Sequence, residues 1–86
     1  MAEITKMPNL GEIAEKRLAK IGITDSEQLI EIGAKEAYIR LNIVEGDTCF
    51  STLCALEGAI QNVRWHDLSV DKKEDLKQFF KQAHNG

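Results

Sequence analysis

The segment with the most definite chemical potential is a turn near the N-terminus, Met7-Pro8-Asn9-Leu10-Gly11, which precedes a stretch of helical periodicity. A tight turn at a helix start presents backbone N–H groups that, together with the helix dipole, suit a phosphate oxygen. Gly11 permits a close approach to the backbone because it has no Cβ. The pattern has the form of a helix-hairpin-helix element and predicts contact with phosphate rather than with bases.

The candidate DNA-backbone-binding residues combine three turn amides with three basic side chains, and they are Asn9, Leu10, Gly11, Lys16, Arg17 and Lys20. Two features oppose phosphate binding. Asn9 stands where this hairpin usually has its first glycine, and Glu12 and Glu15 place negative charge beside the turn. The alternative interpretation is ordinary helix capping, in which the Asn9 side chain accepts from a free N–H one turn on.

A second basic row lies near the C-terminus, where Lys73, Lys77 and Lys81 are four positions apart and share one face of a predicted helix. We interpret this row mainly as a solvated surface. The alternative is a contact with phosphate or with an acidic partner.

The two cysteines indicate structure rather than chemistry. Five positions separate Cys49 from Cys54, which is about 140° around a helix and is poor geometry for a disulfide. We interpret both as small buried hydrophobes in a reduced compartment. A metal site built from them with His66 and His84 lacks the paired spacing of a zinc site, so no metal and no cofactor are predicted.

Signals for catalysis are weak. The chain has no glycine-rich phosphate loop, no HExxH and no nucleophile elbow. His66 and Asp67 are a base and an orienting acid by type, but adjacent residues rarely point together. We interpret Asp67 as a helix-entry residue and Trp65 as a core plug over the end of a bundle, and we predict that the protein is not an enzyme.

Net charge limits the strength of any contact with nucleic acid. Eleven basic against 14 acidic residues give a net charge of −3, whereas nucleic-acid binders are normally basic. Residues 7–23 and 63–86 are mildly basic, and the middle of the chain is acidic. Any phosphate contact is therefore expected at one of the two ends.

Hydrophobic periodicity predicts an all-α fold, a compact bundle of about five short helices with a helix-hairpin-helix-like N-terminal unit. The predicted helices cover residues 9–21, 25–32, 34–43, 48–62 and 70–83. Gly22, Gly33 and Gly46 are expected to end the first three. The predicted N-terminal caps are a capping box spaced from Thr24 to Glu27, followed by Asp47 and Ser69.

The predicted core is the set of apolar faces of these helices. Its members are Leu10, Ile13, Ala14, Leu18, Ile21, Leu29, Ile32, Ala34, Ala37, Tyr38, Leu41, Cys49, Phe50, Leu53, Cys54, Leu56, Ile60, Leu76, Phe79, Phe80 and Ala83. The helix over 48–62 is apolar around most of its circumference and therefore belongs in the middle of the bundle. Gly58, between Ala55 and Ala59, predicts that another helix approaches closely there.

Chain length and the N-terminal residues bear on domain count and compartment. Eighty-six residues make one domain, with a core over roughly 7–83. No apolar run approaches the roughly 18 residues that a membrane span needs, and Met1 to Lys6 lack the apolar core of a secretory signal. We expect a cytoplasmic protein that has no contact with membranes.

Six stretches, in order along residues 7–80, resemble the C-terminal domain of the TfoX/Sxy regulators of bacterial natural competence. They are residues 7–11, 22–24, 32–34, 37–41, 55–60 and 63–68, which read MPNLG, GIT, IGA, AYIRL, ALEGAI and VRWHDL. The resemblance implies an all-helical domain with a helix-hairpin-helix-like unit. In larger family members this domain follows a separate N-terminal domain, which these 86 residues do not contain.

Two functions follow from these observations. The first is a small non-enzymatic module that binds the DNA backbone through the turn at residues 8–11. The second is a protein-interaction or homodimerisation module without DNA binding, because a small domain often gains buried area by association.

Overall fold

The computed structural model describes residues 3–46 and 48–85, with side chains described as far as residue 83. Five α-helices carry the fold: α1 (Glu12–Ala19), α2 (Ser26–Ile32), α3 (Ala34–Glu45), α4 (Phe50–Gln61) and α5 (Val70–Asn85). Two short 3₁₀ turns, Ile4–Lys6 and Trp65–Asp67, precede α1 and α5. No strand occurs in the described part of the chain, and the predicted all-α class is confirmed.

The α1–α2 connection closes as predicted. Gly22 adopts a left-handed φ of 83°, a conformation that costs glycine least. The N–H of Ile23 donates to the carbonyl of Leu18 at 3.0 Å, and the Ile23 side chain is fully buried. This pattern satisfies the last carbonyls of α1 and seats the next residue in the core.

The start of α2 differs from the prediction by one residue. Asp25 is the N-terminal cap, and its side chain accepts from the N–H of Gln28 at 2.9 Å. The Gln28 side chain in turn accepts from the N–H of Thr24 at 2.7 Å. The box therefore pairs Asp25 with Gln28 rather than Thr24 with Glu27, because the extended backbone at Asp25 delays the helix to Ser26.

The remaining boundaries are close to the predicted ones. Ser69 caps α5 by accepting from the N–H of Lys72 at 3.0 Å, as predicted. The predicted cap Asp47 lies outside the described residues. In α4 the first helical residue is Phe50, so Cys49 is the N-cap and not a residue of the helix itself.

The core forms around α4, which contacts α2, α3, α5 and the second 3₁₀ turn, as its apolar circumference predicts. Its fully or almost fully buried members are Ile4, Leu10, Leu18, Ile23, Leu29, Ala34, Ala37, Tyr38, Leu41, Leu53, Cys54, Leu56, Ala59, Leu68 and Leu76. The Tyr38 side chain is buried in this core without leaving its hydroxyl unpaired, because the hydroxyl donates to the carbonyl of Thr48 at 2.6 Å. Ile4 is buried although it precedes the predicted core.

Three predicted core residues lie at the surface instead. Ile13 is 78% exposed, because it stands five positions, or about 140° of helix rotation, from buried Leu18. Ala83 lines an open groove beside Ile39 and is exposed. Cys49 is exposed because it precedes the first turn of α4.

The Asn9 side chain joins the N-terminal turn to the connection between α4 and α5. Its Nδ2 donates to the carbonyls of Val63 at 3.0 Å and Ala55 at 3.5 Å, and its Oδ1 accepts from the N–H of Trp65 at 3.0 Å. The Asn9 backbone has a left-handed φ of 70°, which asparagine tolerates better than most residues. The predicted capping role of Asn9 is therefore wrong: Gly11 is the N-cap, and α1 begins at Glu12.

Gly58 provides the space for this junction. A Cβ at position 58 would lie 2.6 Å from Asn9 Nδ2 and 2.8 Å from the carbonyl oxygen of Val63. The close approach predicted at Gly58 therefore exists, but its partners are a side chain and a loop backbone. None of the three nearest atoms belongs to another α-helix, and the third of them, the Trp65 Cα at 3.2 Å, lies in the second 3₁₀ turn.

Gly58→Ala is expected to destabilise the fold by about 1–3 kcal/mol, because the new methyl group displaces Asn9 or Val63. Helix propensity acting alone would change stability in the opposite direction, by up to ~1 kcal/mol. Urea unfolding followed by circular dichroism measures the difference. Gln61→Ala, at an exposed position of the same helix, is the control and should stay within about 0.5 kcal/mol of the wild type. A Gly58→Ala protein that is as stable as the wild type would contradict the junction.

A candidate anion-binding turn and the adjoining cleft

The turn before α1 leaves several main-chain donors uncovered. The N–H groups of Gly11, Glu12 and Ile13 make no hydrogen bond to any described residue. No atom beyond the chain neighbours lies within 4 Å of the place where a Gly11 Cβ would be. Leu10 differs, since its side chain is buried and its N–H donates to the carbonyl of Met7 at 3.4 Å. The backbone N–H of Asn9 also has no partner among the described residues, and beyond Leu10 the open donors form a row from Gly11 into the first turn of α1.

The charges around these donors have both signs. Lys16 and Lys20 are exposed and form no ion pair with a described residue. Glu12 and Glu15 stand in the first turn of α1, where their carboxylates also interact favourably with the helix dipole. An incoming phosphate would meet Lys16 and two carboxylates on α1, whereas Lys20 is the C-cap at the opposite end of that helix.

Arg17, the third predicted basic contact, is already paired. Its Nε and Nη2 donate to the two carboxylate oxygens of Glu45 at 2.9 and 2.7 Å. This hydrogen bonding lowers the pKa of Glu45, so the pair persists at neutral pH. Arg17 therefore fastens α1 to the end of α3.

Arg64 is a basic residue of this site that the sequence did not single out. The hydrogen bonds from Asn9 to Val63 and Trp65 hold the chain on both sides of Arg64. Its side chain is exposed and has no hydrogen bond or ion pair with a described residue. No local pattern marks this residue, because the contact that places it spans more than 50 positions.

Beside the turn lies a cleft of about 400 Å³ between α1, α4 and the connection after α4. Its floor is aliphatic and consists of Leu10, Ala14, Leu18, Leu41, Ala55 and Leu56. Its polar rim includes Asn9, Arg17, Ser51, Thr52 and Arg64, together with the indole of Trp65.

Trp65 is part of the rim rather than a core plug, and the predicted plug is wrong. Its side chain is 38% exposed, and its ring stacks on that of His66 with centroids 4.0 Å apart. Leu68 is the residue of this connection that enters the core. His66 and Asp67 are both exposed.

In the connection before α5 and in α5 itself, Asp67 and Lys73 have roles other than the predicted ones. Asp67 lies within the second 3₁₀ turn, and Ser69 performs the helix entry that was assigned to Asp67. Of the basic row, Lys73 donates to the carbonyl of His66 at 2.8 Å. Lys77 and Lys81 remain exposed on α5.

The two cysteines have opposite environments. The Sγ of Cys49 lies 3.0 Å from the Ser51 hydroxyl and 3.4 Å from that of Thr52. Hydrogen bonding from Ser51 and then Thr52 lowers the pKa of Cys49 to about 7. Burial raises the pKa of Cys54. The prediction of two buried thiols is therefore right for Cys54 and wrong for Cys49.

The described residues contain no group of three or more His, Cys, Asp and Glu side chains placed to hold a metal ion. His84, named above as a metal-ligand alternative, has its side chain outside the description. In the same part of the chain, none of the helices combines the length and the apolar character that crossing a bilayer requires.

The fold is that of a small all-helical domain, in which a short 3₁₀ turn and an open turn precede α1. The chain matches the TfoX C-terminal domain over residues 1–80 and belongs to that family. The family resemblance seen in the sequence is confirmed.

The solved structures that are similar to this chain include the following two, and no curated protein matches it. A triclinic crystal structure of an uncharacterized protein from Listeria monocytogenes has 40% identity and a TM-score of 0.94, covering 96% of this chain and 94% of that one. A tetragonal crystal structure of a Listeria monocytogenes protein of unknown function has 40% identity and a TM-score of 0.89, covering 92% of this chain and 98% of that one.

Cys49 is expected to react with iodoacetamide with a midpoint near pH 7, because the thiolate is the reactive form and the pKa of Cys49 is about 7. Peptide mass spectrometry over a pH series measures Cys49 and Cys54 separately. Ser51→Ala removes the strongest hydrogen bond to the thiolate and should move the midpoint upward. Equal labelling of both cysteines, or an unchanged midpoint in Ser51→Ala, would show that this hydrogen bonding does not form.

Proposed function

We propose that this domain is a cytoplasmic, non-enzymatic regulatory module that contacts the sugar-phosphate backbone of duplex DNA through the turn at residues 8–11. The observation that carries the proposal is the row of open N–H groups at Gly11, Glu12 and Ile13, with the unpaired Lys16 on the next turn of the same helix. Backbone N–H groups at a helix start suit a phosphate oxygen without selecting a base.

The cations that support this contact are not all those that the sequence suggested. Lys16, Lys20 and Arg64 are exposed and unpaired with described residues, whereas Arg17 is held by Glu45. About three phosphate contacts correspond to a slope of roughly −2 to −3 in log K against log salt concentration. With a net charge of −3, binding should be weak and confined to low salt.

Glu12 provides the most informative substitution, because its removal should raise the affinity for DNA instead of lowering it. Its carboxylate is exposed in the first turn of α1, where a bound phosphate would repel it. Glu12→Gln removes this repulsion without removing any of the main-chain donors. A contact at this turn therefore has one variant that strengthens binding as well as variants that weaken it.

We expect fluorescence anisotropy with labelled duplex DNA at low salt to show binding that falls several-fold in Lys16→Glu with Lys20→Glu. Arg64→Glu should also weaken binding, and Glu12→Gln should strengthen it. The matched control is Lys77→Glu with Lys81→Glu, which makes the same charge change on α5. Equal losses of affinity in the two double variants would show that only the net charge of the protein matters. An absence of binding by the wild type would end the DNA proposal.

A second candidate function, a protein-interaction or homodimerisation module, is favoured by the groove between α3 and α5. This groove has a volume of about 490 Å³ and is lined by Tyr38, Ile39, Ile43, Phe79 and Ala83, among others. Ile43 is 78% exposed. Exposed apolar side chains at a groove are typical of surfaces that bind another protein.

If this groove joins two copies of the chain, light scattering at high concentration should show a dimer. Ile43→Lys should return the protein to a monomer. Val70→Lys is the control, because Val70 is 82% exposed and lies outside the groove. A wild type that remains monomeric would exclude the homodimer and leave only a different partner for this groove.

A further inference from the structure

The cleft beside the turn has the size and lining of a small-molecule site. Its volume of about 400 Å³ lies within the ~300–1,000 Å³ of typical ligand pockets. The aliphatic lining residues that form its floor are buried or half-buried, whereas Ser51, Arg64 and Trp65 at its rim are exposed. A ligand of matching form has an apolar body and a polar group at one end.

The charge of the rim determines which polar group of the ligand fits there. Arg17 and Arg64 both line the cleft, and no acidic residue is among its described lining residues. Because Glu45 neutralises Arg17, Arg64 supplies the net positive charge of this rim, in a chain whose net charge is −3. A guanidinium group is the donor best suited to carboxylate and phosphate.

The two arginines differ in availability. Arg17 donates to both carboxylate oxygens of Glu45, so its charge is neutralised and few of its donors are free. Arg64 has no partner among the described residues and is held at the rim by the Asn9 junction. Arg64 is therefore the group that binds the anion.

The floor and the other rim residues determine which kind of ligand body, a nucleobase or a hydrocarbon, fits the cleft. A nucleobase needs donors and acceptors along its edge, but the hydroxyls of Ser51 and Thr52 are directed to Cys49 Sγ. The floor offers only aliphatic side chains and therefore favours a hydrocarbon body.

We propose that this cleft binds a small amphipathic anion, a hydrocarbon chain that ends in a carboxylate or a phosphate, with its anionic end on Arg64. Binding of this ligand does not depend on DNA binding, although the ligand and DNA would both contact Arg64 and would compete for it. Failure of DNA binding leaves this proposal intact, because the test uses no nucleic acid.

The only tryptophan of the chain, Trp65, stands on the rim and reports occupancy. Decanoate and decyl phosphate, titrated below their micelle concentrations, should each change its fluorescence saturably, with one site per chain by calorimetry. Decanol is the uncharged control and should bind about tenfold more weakly, which corresponds to about 1.4 kcal/mol. The order of the two anions distinguishes a carboxylate site from a phosphate site.

Two variants test the arrangement within the cleft. Arg64→Gln should remove the advantage of the anions over decanol, and Ala14→Phe should fill the floor and abolish binding of all three probes. Arg40→Gln is the control, because Arg40 pairs with Glu36 and does not line the cleft. Circular dichroism establishes that each variant folds.

Three outcomes with the probes and variants would overturn the proposal, and a fourth would do so in the wild type alone. These are decanol binding as tightly as decanoate, Arg64→Gln leaving the preference for anions unchanged, and a folded Ala14→Phe protein that binds like the wild type. The absence of any saturable change in tryptophan fluorescence and in heat would do the same.

Discussion

The three hydrogen bonds of Asn9 are the constraint on which the rest of this structure depends. Two of them join a turn near the N-terminus to a connection more than 50 residues later, and the third reaches the carbonyl of Ala55 in α4. The donor and acceptor atoms of one amide are both satisfied by backbone groups that would otherwise need another partner. Because Gly58 has no side chain, the amide reaches those groups across α4. The junction sets the direction in which α1 leaves the turn, and with it the position of the open N–H groups.

The junction also explains how a chain with a net charge of −3 presents positive charge at one place. Arg64 comes to the turn through the backbone on either side of it and not through a side-chain contact of its own, so its guanidinium remains available. Arg17 is occupied by its ion pair with Glu45, which joins α1 to the end of α3. Two arginines on the rim of one cleft thus have different roles, one structural and one open to a ligand.

The sequence predicts the features that depend on near neighbours. The helix end at Gly22, the cap at Ser69 and the central position of α4 each follow from a few adjacent residues or from one periodicity, and the structure confirms them. The roles of Asn9 and Trp65 are not predictable in this way, because the partners of Asn9 lie 46 to 56 positions away. A left-handed asparagine that bonds across the fold has the same local sequence as one that caps a helix. The candidate site was therefore located by its turn, whereas Arg64 and the cleft required the fold.

A nuclear magnetic resonance titration of the labelled protein with duplex DNA tests most directly whether the turn and Arg64 form one anion-binding surface. We expect the amide signals of Gly11, Glu12 and Ile13 to shift together with the Nε–H signal of Arg64, along a single binding curve. Shifts confined to the lysine face of α5, or an Arg64 signal that stays fixed while the turn responds, would contradict this expectation.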